Sequence, residues 1–114
     1  GITPRYSRPM CIDHRPPHGL TVACAPTAFS SYKDEGGAGA MLLRSEDRGN
    51  SWRSLCDGAH TPSRGNIHGL ATDSECVGGV VIGTDDGEVW RVSNDAHWTA
   101  LANNLPAVLS AITL

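Results

Sequence analysis

The stretch Arg44-Ser-Glu-Asp-Arg-Gly-Asn-Ser-Trp-Arg-Ser-Leu55 decides how the rest of the chain is read. Ser45, Asp47, Gly49, Ser51 and Trp52 stand at close, fixed spacing between two β-favouring runs, Ala40–Glu46 and Ser51–Cys56. Short Ser and Asp side chains cap backbone N–H groups in their own turn, and Gly supplies the positive φ that tight turns often need. The spacing therefore predicts a β-turn joining two strands, with Trp52 packing its ring between sheets, rather than a catalytic loop built around a carboxylate.

Outward from this turn the strands repeat. Met10–His14 and Leu20–Ala25 flank a turn signal, His-Arg-Pro-Pro-His-Gly. A second set follows in Asn66–Thr72, Gly79–Thr84, Glu88–Ser93 and Trp98–Ala102, with Asp85-Asp86-Gly87 as a hairpin signal. His18-Gly19-Leu20 is matched with His68-Gly69-Leu70, Arg44 to Asp47 with Val92 to Asp95, Trp52 with Trp98, and Leu55 with Leu101. A period in the forties fits a four-stranded propeller blade. The second turn, Ser93 to Trp98, keeps Ser93, Asp95 and Trp98 but is shorter and lacks the Gly.

The expected fold is all-β: two four-stranded antiparallel blades of a β-propeller plus one extra C-terminal strand. The expected divisions are a leader (1–9), a first blade (10–58), an inter-blade loop (59–65), a second blade (66–102) and a closing or orphan strand (103–114), centred on Val108–Leu114.

Composition agrees. Thirteen Gly and seven Pro in 114 residues favour short strands and many turns. A net charge of -3 and six aromatic residues argue against nucleic acid and anionic lipid as partners. No apolar run approaches the roughly 18–20 residues of a membrane span. The opening GITPRYSRPM lacks the apolar core of a signal peptide, and nothing in the sequence reports a compartment. Cys11, Cys24, Cys56 and Cys76 are read as thiols on strands, with Cys11–Cys24 the pair best placed for a disulfide.

SEDRGNSW fills every position of Ser-x-Asp-x-Gly-x-Ser/Thr-Trp, the Asp-box or BNR repeat. With MLLRSEDRGNSWRSL, GGVVIGTDDGEVWRVSNDAHW and LANNLPAVLSAITL, the chain resembles the C-terminal portion of a bacterial BNR-repeat, sialidase-like or WD40/YVTN/BNR-like propeller over about residues 10–114. The resemblance implies that the Asp-boxes (Ser45, Asp47, Gly49, Ser51, Trp52; Ser93, Asp95, Trp98) are structural and lie opposite the active face of true sialidases. Those enzymes use three arginines, a Tyr–Glu pair and an acid/base residue. No matching motif is found, and Arg5, Arg8 and Arg15 lie among prolines, so the chain is read as leaning away from catalysis.

The face opposite the Asp-boxes is formed by Thr27–Gly39 and Ala59–His68. It offers Tyr32, Lys33, Asp34, Glu35, His60, Arg64, Asn66 and His68 as a candidate binding face. Cys11, His14, His18 and Cys24 echo part of a zinc motif, but Pro16-Pro17 and strand alternation oppose it. Asp85 to Glu88 lacks the alternating ligands of a calcium loop. No cofactor or metal is expected.

The leading functional expectation is a non-catalytic propeller segment with a structural or ligand- or partner-binding role. As a homo-oligomer, or as part of a larger propeller, it would take a carbohydrate or protein ligand. Alternatives are part of a sialidase-like glycoside hydrolase whose catalytic residues lie in missing blades, and a small self-assembling propeller lectin.

Overall fold

The computed structural model of the chain describes residues 2–4 and 6–111. Eight strands follow in order: β1 (Tyr6–Ile12), β2 (Leu20–Ala25), β3 (Met41–Ser45), β4 (Arg53–Ser54), β5 (Ile67–Thr72), β6 (Val80–Thr84), β7 (Val89–Val92) and β8 (Trp98–Ala102). They form two four-stranded antiparallel sheets, β1-β2-β3-β4 and β5-β6-β7-β8, each a simple meander.

The strands form where apolar, β-branched runs sit between turn residues. The second strand, LTVACA, is almost wholly buried, which is why it reads as a continuous apolar run rather than an alternating one. The first carries Pro9, tolerated because β1 is an edge strand with a bulge between Ser7 and Met10. It begins at Tyr6, inside the expected leader.

Register shows how the two sheets are related. The β1–β2 pair Cys11–Thr21 is repeated 60 positions on by Ala71–Val81, and Ile12–Leu20 by Thr72–Val80. The β2–β3 pairs Thr21–Arg44 and Val22–Leu43 return as Val81–Arg91 and Ile82–Trp90. Arg44–Arg53 returns as Arg91–Thr99. Trp52 thus answers Trp98 and Leu55 answers Leu101, as the sequence suggests.

Two other matches are corrected. Arg44 answers Arg91, not Val92. His18-Gly19-Leu20 leads into the second strand of its sheet, whereas His68-Gly69-Leu70 lies within the first strand of the other, so the shared tripeptide is no repeat. The turns carry the signal the tripeptide does not: Asp13 N–H donates to Gly19 O, and Asp73 N–H to Gly79 O, both at 60-residue spacing.

The core lies between the sheets. Ala23, Ala40, Leu42 and Leu55 of the first sheet and its edges meet Leu70, Val80, Ile82, Val92 and Trp98 of the second. By strand alternation, Thr21, Ala23, Leu42 and Arg44 point toward the second sheet. Met10, Ile12, Val22 and Leu43 point away from it, as do Ala71, Val81, Arg91 and Thr99 on the far side of the second sheet.

The expected ninth strand does not form over the described residues: 103–111 join no sheet, and Ile112, Thr113 and Leu114 lie outside them. The segment instead crosses the far face of the second sheet as a strap. Leu105 N–H donates to Gly87 O and Val108 N–H to Thr84 O, each at 3.0 Å. It fits because the cross-strand pair Gly69–Gly83 leaves that face flat. A Cβ on Gly83 would sit 2.2 Å from Val108 Cγ1.

Cys11 and Cys24, the pair best placed for a disulfide by sequence, form none. All four cysteines are free. Cys11 pairs with Thr21 and Cys24 with Met41, which puts the two thiols on opposite faces of one sheet. Cys76 is exposed in the β5–β6 turn rather than on a strand.

Candidate functional site

Alternation along each meander puts the β1–β2, β3–β4, β5–β6 and β7–β8 turns at one end of the molecule and the β2–β3, β4–β5 and β6–β7 loops at the other.

At the first end, the Asp-box closes on itself. Ser45 Oγ donates to Asp47 Oδ1 and accepts from Gly49 N–H, both at 2.8 Å. The Asp47 carboxylate in turn accepts the Ser51 N–H (2.8 Å) and the Ser51 hydroxyl. These bonds, led by the Ser51 hydroxyl, hold the Asp47 carboxyl down at about 2. Gly49 takes φ +87°. The Ser45, Asp47 and Ser51 side chains thus bond chiefly to one another and to the backbone of their own turn.

Trp52 departs from expectation. Its Nε1 donates to Gly49 O at 3.1 Å, so the half-buried ring folds onto its own turn rather than between the sheets. The intersheet wedge is its counterpart Trp98, which is 7% exposed and donates to Leu55 O. In the second turn, Ser93 Oγ accepts from His97 N–H, and Ala96 takes the left-handed conformation. Asp95 is exposed and makes no contact that holds the turn.

The same end holds a polar clamp between the sheets, which sequence reasoning missed. Arg44 is buried, 2% exposed. Its guanidinium donates to Thr21 Oγ1 (2.8 Å), Asn94 Oδ1 (2.8 Å) and Gly78 O (2.5 Å). Asp13 Oδ2 accepts the N–H of the same Gly78 at 3.1 Å. One residue of the β5–β6 turn, Gly78, is thus gripped through both its backbone donor and its backbone acceptor. Arg15 chelates the Asp13 carboxylate and also donates to the carbonyls of Asp73 and Ser74. The Arg15 hydrogen bonds hold Asp13 well below the usual carboxylate range, while burial pulls Arg44 downward. These groups line a cleft of about 130 Å³ with Glu46 and Val77. The available signal was an arginine inside the apolar strand MLLRS, at a core-facing step of the alternation.

At the loop end, the structure brings together some of the expected residues. Ala38 N–H donates to Arg64 O at 2.8 Å, and Ala40 bridges Ser63, so the β2–β3 and β4–β5 loops are stitched side by side. Asn66 is buried; its Nδ2 donates to Ser30 O and to Asp85 Oδ2 (3.2 Å), and its N–H to Asp85 Oδ1 (2.9 Å). His68 Nε2 lies 3.8 Å from Asp85. Asn66 and Asp85 therefore form a clasp between loops. Tyr32, Lys33, Asp34 and Glu35 occupy the tip of the β2–β3 loop, where Lys33 lies 5.7 Å from the Tyr32 ring centre and Asp34 caps Ser31. The tip residues and His60 do not join the Asn66 cluster.

His60 instead faces the outer strands. Its ring centre is 4.5 Å from that of Trp90 and 5.9 Å from that of Trp98. Its Nδ1 is held by Asp57. Burial acts to raise the Asp57 pKa, but the hydrogen bonds from His60 outweigh it and the net shift is downward. With Arg64, Glu88, Pro62 and Ser63 these rings line an open cleft of about 240 Å³. The meeting of Trp90 with His60 depends on the β4–β5 loop folding across the sheet, which no local pattern announces. Among the described residues, no group of three or more His, Cys, Asp or Glu side chains is placed to hold a metal ion.

No family model, curated protein or solved structure matches this chain.

Proposed function

We propose that the chain is a two-blade segment of a β-propeller of the Asp-box type, working by binding rather than by catalysis. The observation that carries this reading is the repeated register: equivalent residue pairs recur in both sheets, and like faces point the same way round. The first strands of the sheets, β1 and β5, run close to one another. That arrangement is expected if both line a common axis, and the self-satisfied Asp-box turn matches a structural role for the motif. The β-propeller reading is tested by imaging the assembled form by electron microscopy. Radial sheets around an axis lined by β1 and β5 support it; a closed two-layer sandwich with no further sheets sinks it.

A second reading, the small self-assembling lectin, is favoured by the His60–Trp90–Trp98 cleft. The partly exposed rings of His60 and Trp90, flanked by Arg64 and Glu88, suit a pyranose ring, which stacks its C–H groups on the ring and offers hydroxyls to the charged groups. Titration with methyl glycosides, read by tryptophan fluorescence in the wild type and in Trp90→Phe, tests it. No change with any glycoside removes the lectin reading. The glycoside hydrolase alternative places its catalytic residues in blades outside this chain, and neither end of the molecule adds an observation in its favour; turnover of a fluorogenic sialoside by this chain would supply one.

A further inference from the structure

We propose that the far face of the second sheet docks the first sheet of another copy of this chain, head to tail, repeating the contact by which the first sheet meets the second. The inference rests on the propeller reading and specifies its partner. The register identifies what each face offers. In the internal contact, Arg44 leaves the first sheet and donates to the β5–β6 turn at Gly78 O and to the β7–β8 turn at Asn94. Its counterpart Arg91 stands at the same step on the far face of the second sheet. Arg91 is 42% exposed there and lies 2.9 Å from Asp73, the counterpart of Asp13. Thr99, the counterpart of Arg53, is exposed beside it.

The opposite outer face carries the complement. Leu70, the counterpart of Met10, is 8% exposed because the first sheet covers it; Met10 is 56% exposed and Ile12 54%. The turn position that presents Gly78 to Arg44 is filled in the first sheet by His18. Both residues adopt the left-handed conformation, φ +78° and +59°. Where the internal contact offers Asn94, the first sheet offers the same turn with the exposed Glu46, an acidic group suited to receive Arg91. Among the described residues, the strap covers the loop end of the far face over Gly69 and Gly83, and Arg91 and Thr99 at the other end keep their exposure. A contact between two different faces is heterologous, so it builds rings or open chains rather than an isolated two-fold dimer.

The test uses light scattering after gel filtration on the full chain over a concentration series, with circular dichroism confirming the fold of each variant. Wild type is expected at a multiple of the 12.0 kDa chain mass. Met10→Glu blocks one face and Thr99→Glu the other; both sites are exposed, so each variant is expected to stay folded at the mass of a single chain. An equimolar mixture of the two is expected to form a dimer of two chains, because each variant retains one intact and complementary face. A wild type that stays single at every concentration overturns the proposal, and so does assembly that only one of the two variants suppresses, or that neither does. A single-chain wild type together with radial sheets in images of a larger complex overturns this contact alone and leaves the propeller reading standing.

Discussion

The indole N–H of Trp98 donates to the carbonyl of Leu55 at 2.9 Å, across the boundary between the two sheets. Leu55 itself closes the edge of the first sheet by donating its N–H to Leu42 O. The ring therefore fills the intersheet core and satisfies a carbonyl that has no water to turn to.

This predicts an unequal outcome for the two equivalent tryptophans, Trp52 and Trp98. Trp98→Ala is expected to cost about 3–5 kcal/mol, the usual toll of emptying a large buried aromatic site. Trp98→Phe keeps most of the packing but strands the Leu55 carbonyl, costing about 1–3 kcal/mol. Trp52→Ala removes a ring lying on its own turn, and its cost stays below that of Trp98→Phe. Urea unfolding of the three variants checks the order; equal costs at the two tryptophans would show that the wedge is misassigned.

Arg44 sets a second contrast. Its three hydrogen bonds end on a side chain of its own sheet and two groups of the other, in a fork that a lysine cannot reproduce. Arg44→Met keeps the apolar length but leaves Thr21 Oγ1 and Gly78 O without this donor, so a loss of at least about 2 kcal/mol is expected. Arg44→Lys is expected to recover less than half of it. Arg53→Met, on an exposed side chain, changes stability by about 0.5 kcal/mol or less. Thermal melts read all three, and full rescue by lysine would mean that charge rather than the fork matters.

The thiols are expected to react in a fixed order. Cys76 is exposed in a turn and Cys56 is half-buried, with its sulfur 3.7 Å from that of Met41. Burial pushes the Cys11 and Cys24 thiols up to about 11, leaving almost no thiolate at neutral pH. With a thiol-reactive dye at pH 8, Cys76 is labelled first and Cys56 second, while Cys11 and Cys24 wait for unfolding. Peptide mapping by mass spectrometry after timed quenching gives the order; early labelling of Cys24 would contradict the burial of β2.

The strands and the two-sheet grouping were legible because they rest on local signals: apolar runs such as LTVACA and VVIGT, and turns marked by Asp85-Asp86-Gly87 and the Asp-box. The failures come from long-range facts. VLSAITL has strand composition, yet over its described part it lies across Gly69 and Gly83, because two opposed glycines offer a surface without side chains. Cys11 and Cys24 sit in paired strands, but the bulge near Pro9 and the resulting register set their faces apart. The loop end was located correctly from topology. Its division into an Asn66–Asp85 clasp and a separate His60–Trp90 cleft depends on how the β4–β5 loop crosses the sheet, and neighbouring residues in sequence carry no sign of that.

Acid should loosen the Asp-box before the sheets come apart. Asp47 has a folded pKa of about 2 against an ordinary value of 3.8, so the folded state favours the charged carboxylate. A depressed carboxylate contributes stability that is fully present above the ordinary value and is lost as pH falls through the folded one. For Asp47 that window runs from about pH 4 down to about pH 2. Asp13 is shifted in the same direction by Arg15 and extends the loss to still lower pH. Melting temperature is therefore expected to be flat from pH 7 to near pH 4 and to fall below it. Asp47→Asn should lower the plateau and make the descent between pH 4 and pH 2 shallower. Asp13→Asn should do the same and also weaken the hold on Gly78, so its plateau is the lower of the two. A wild-type melting temperature that stays level down to pH 2, or a descent as steep in Asp47→Asn as in wild type, would show that this carboxylate does not stabilise the turn.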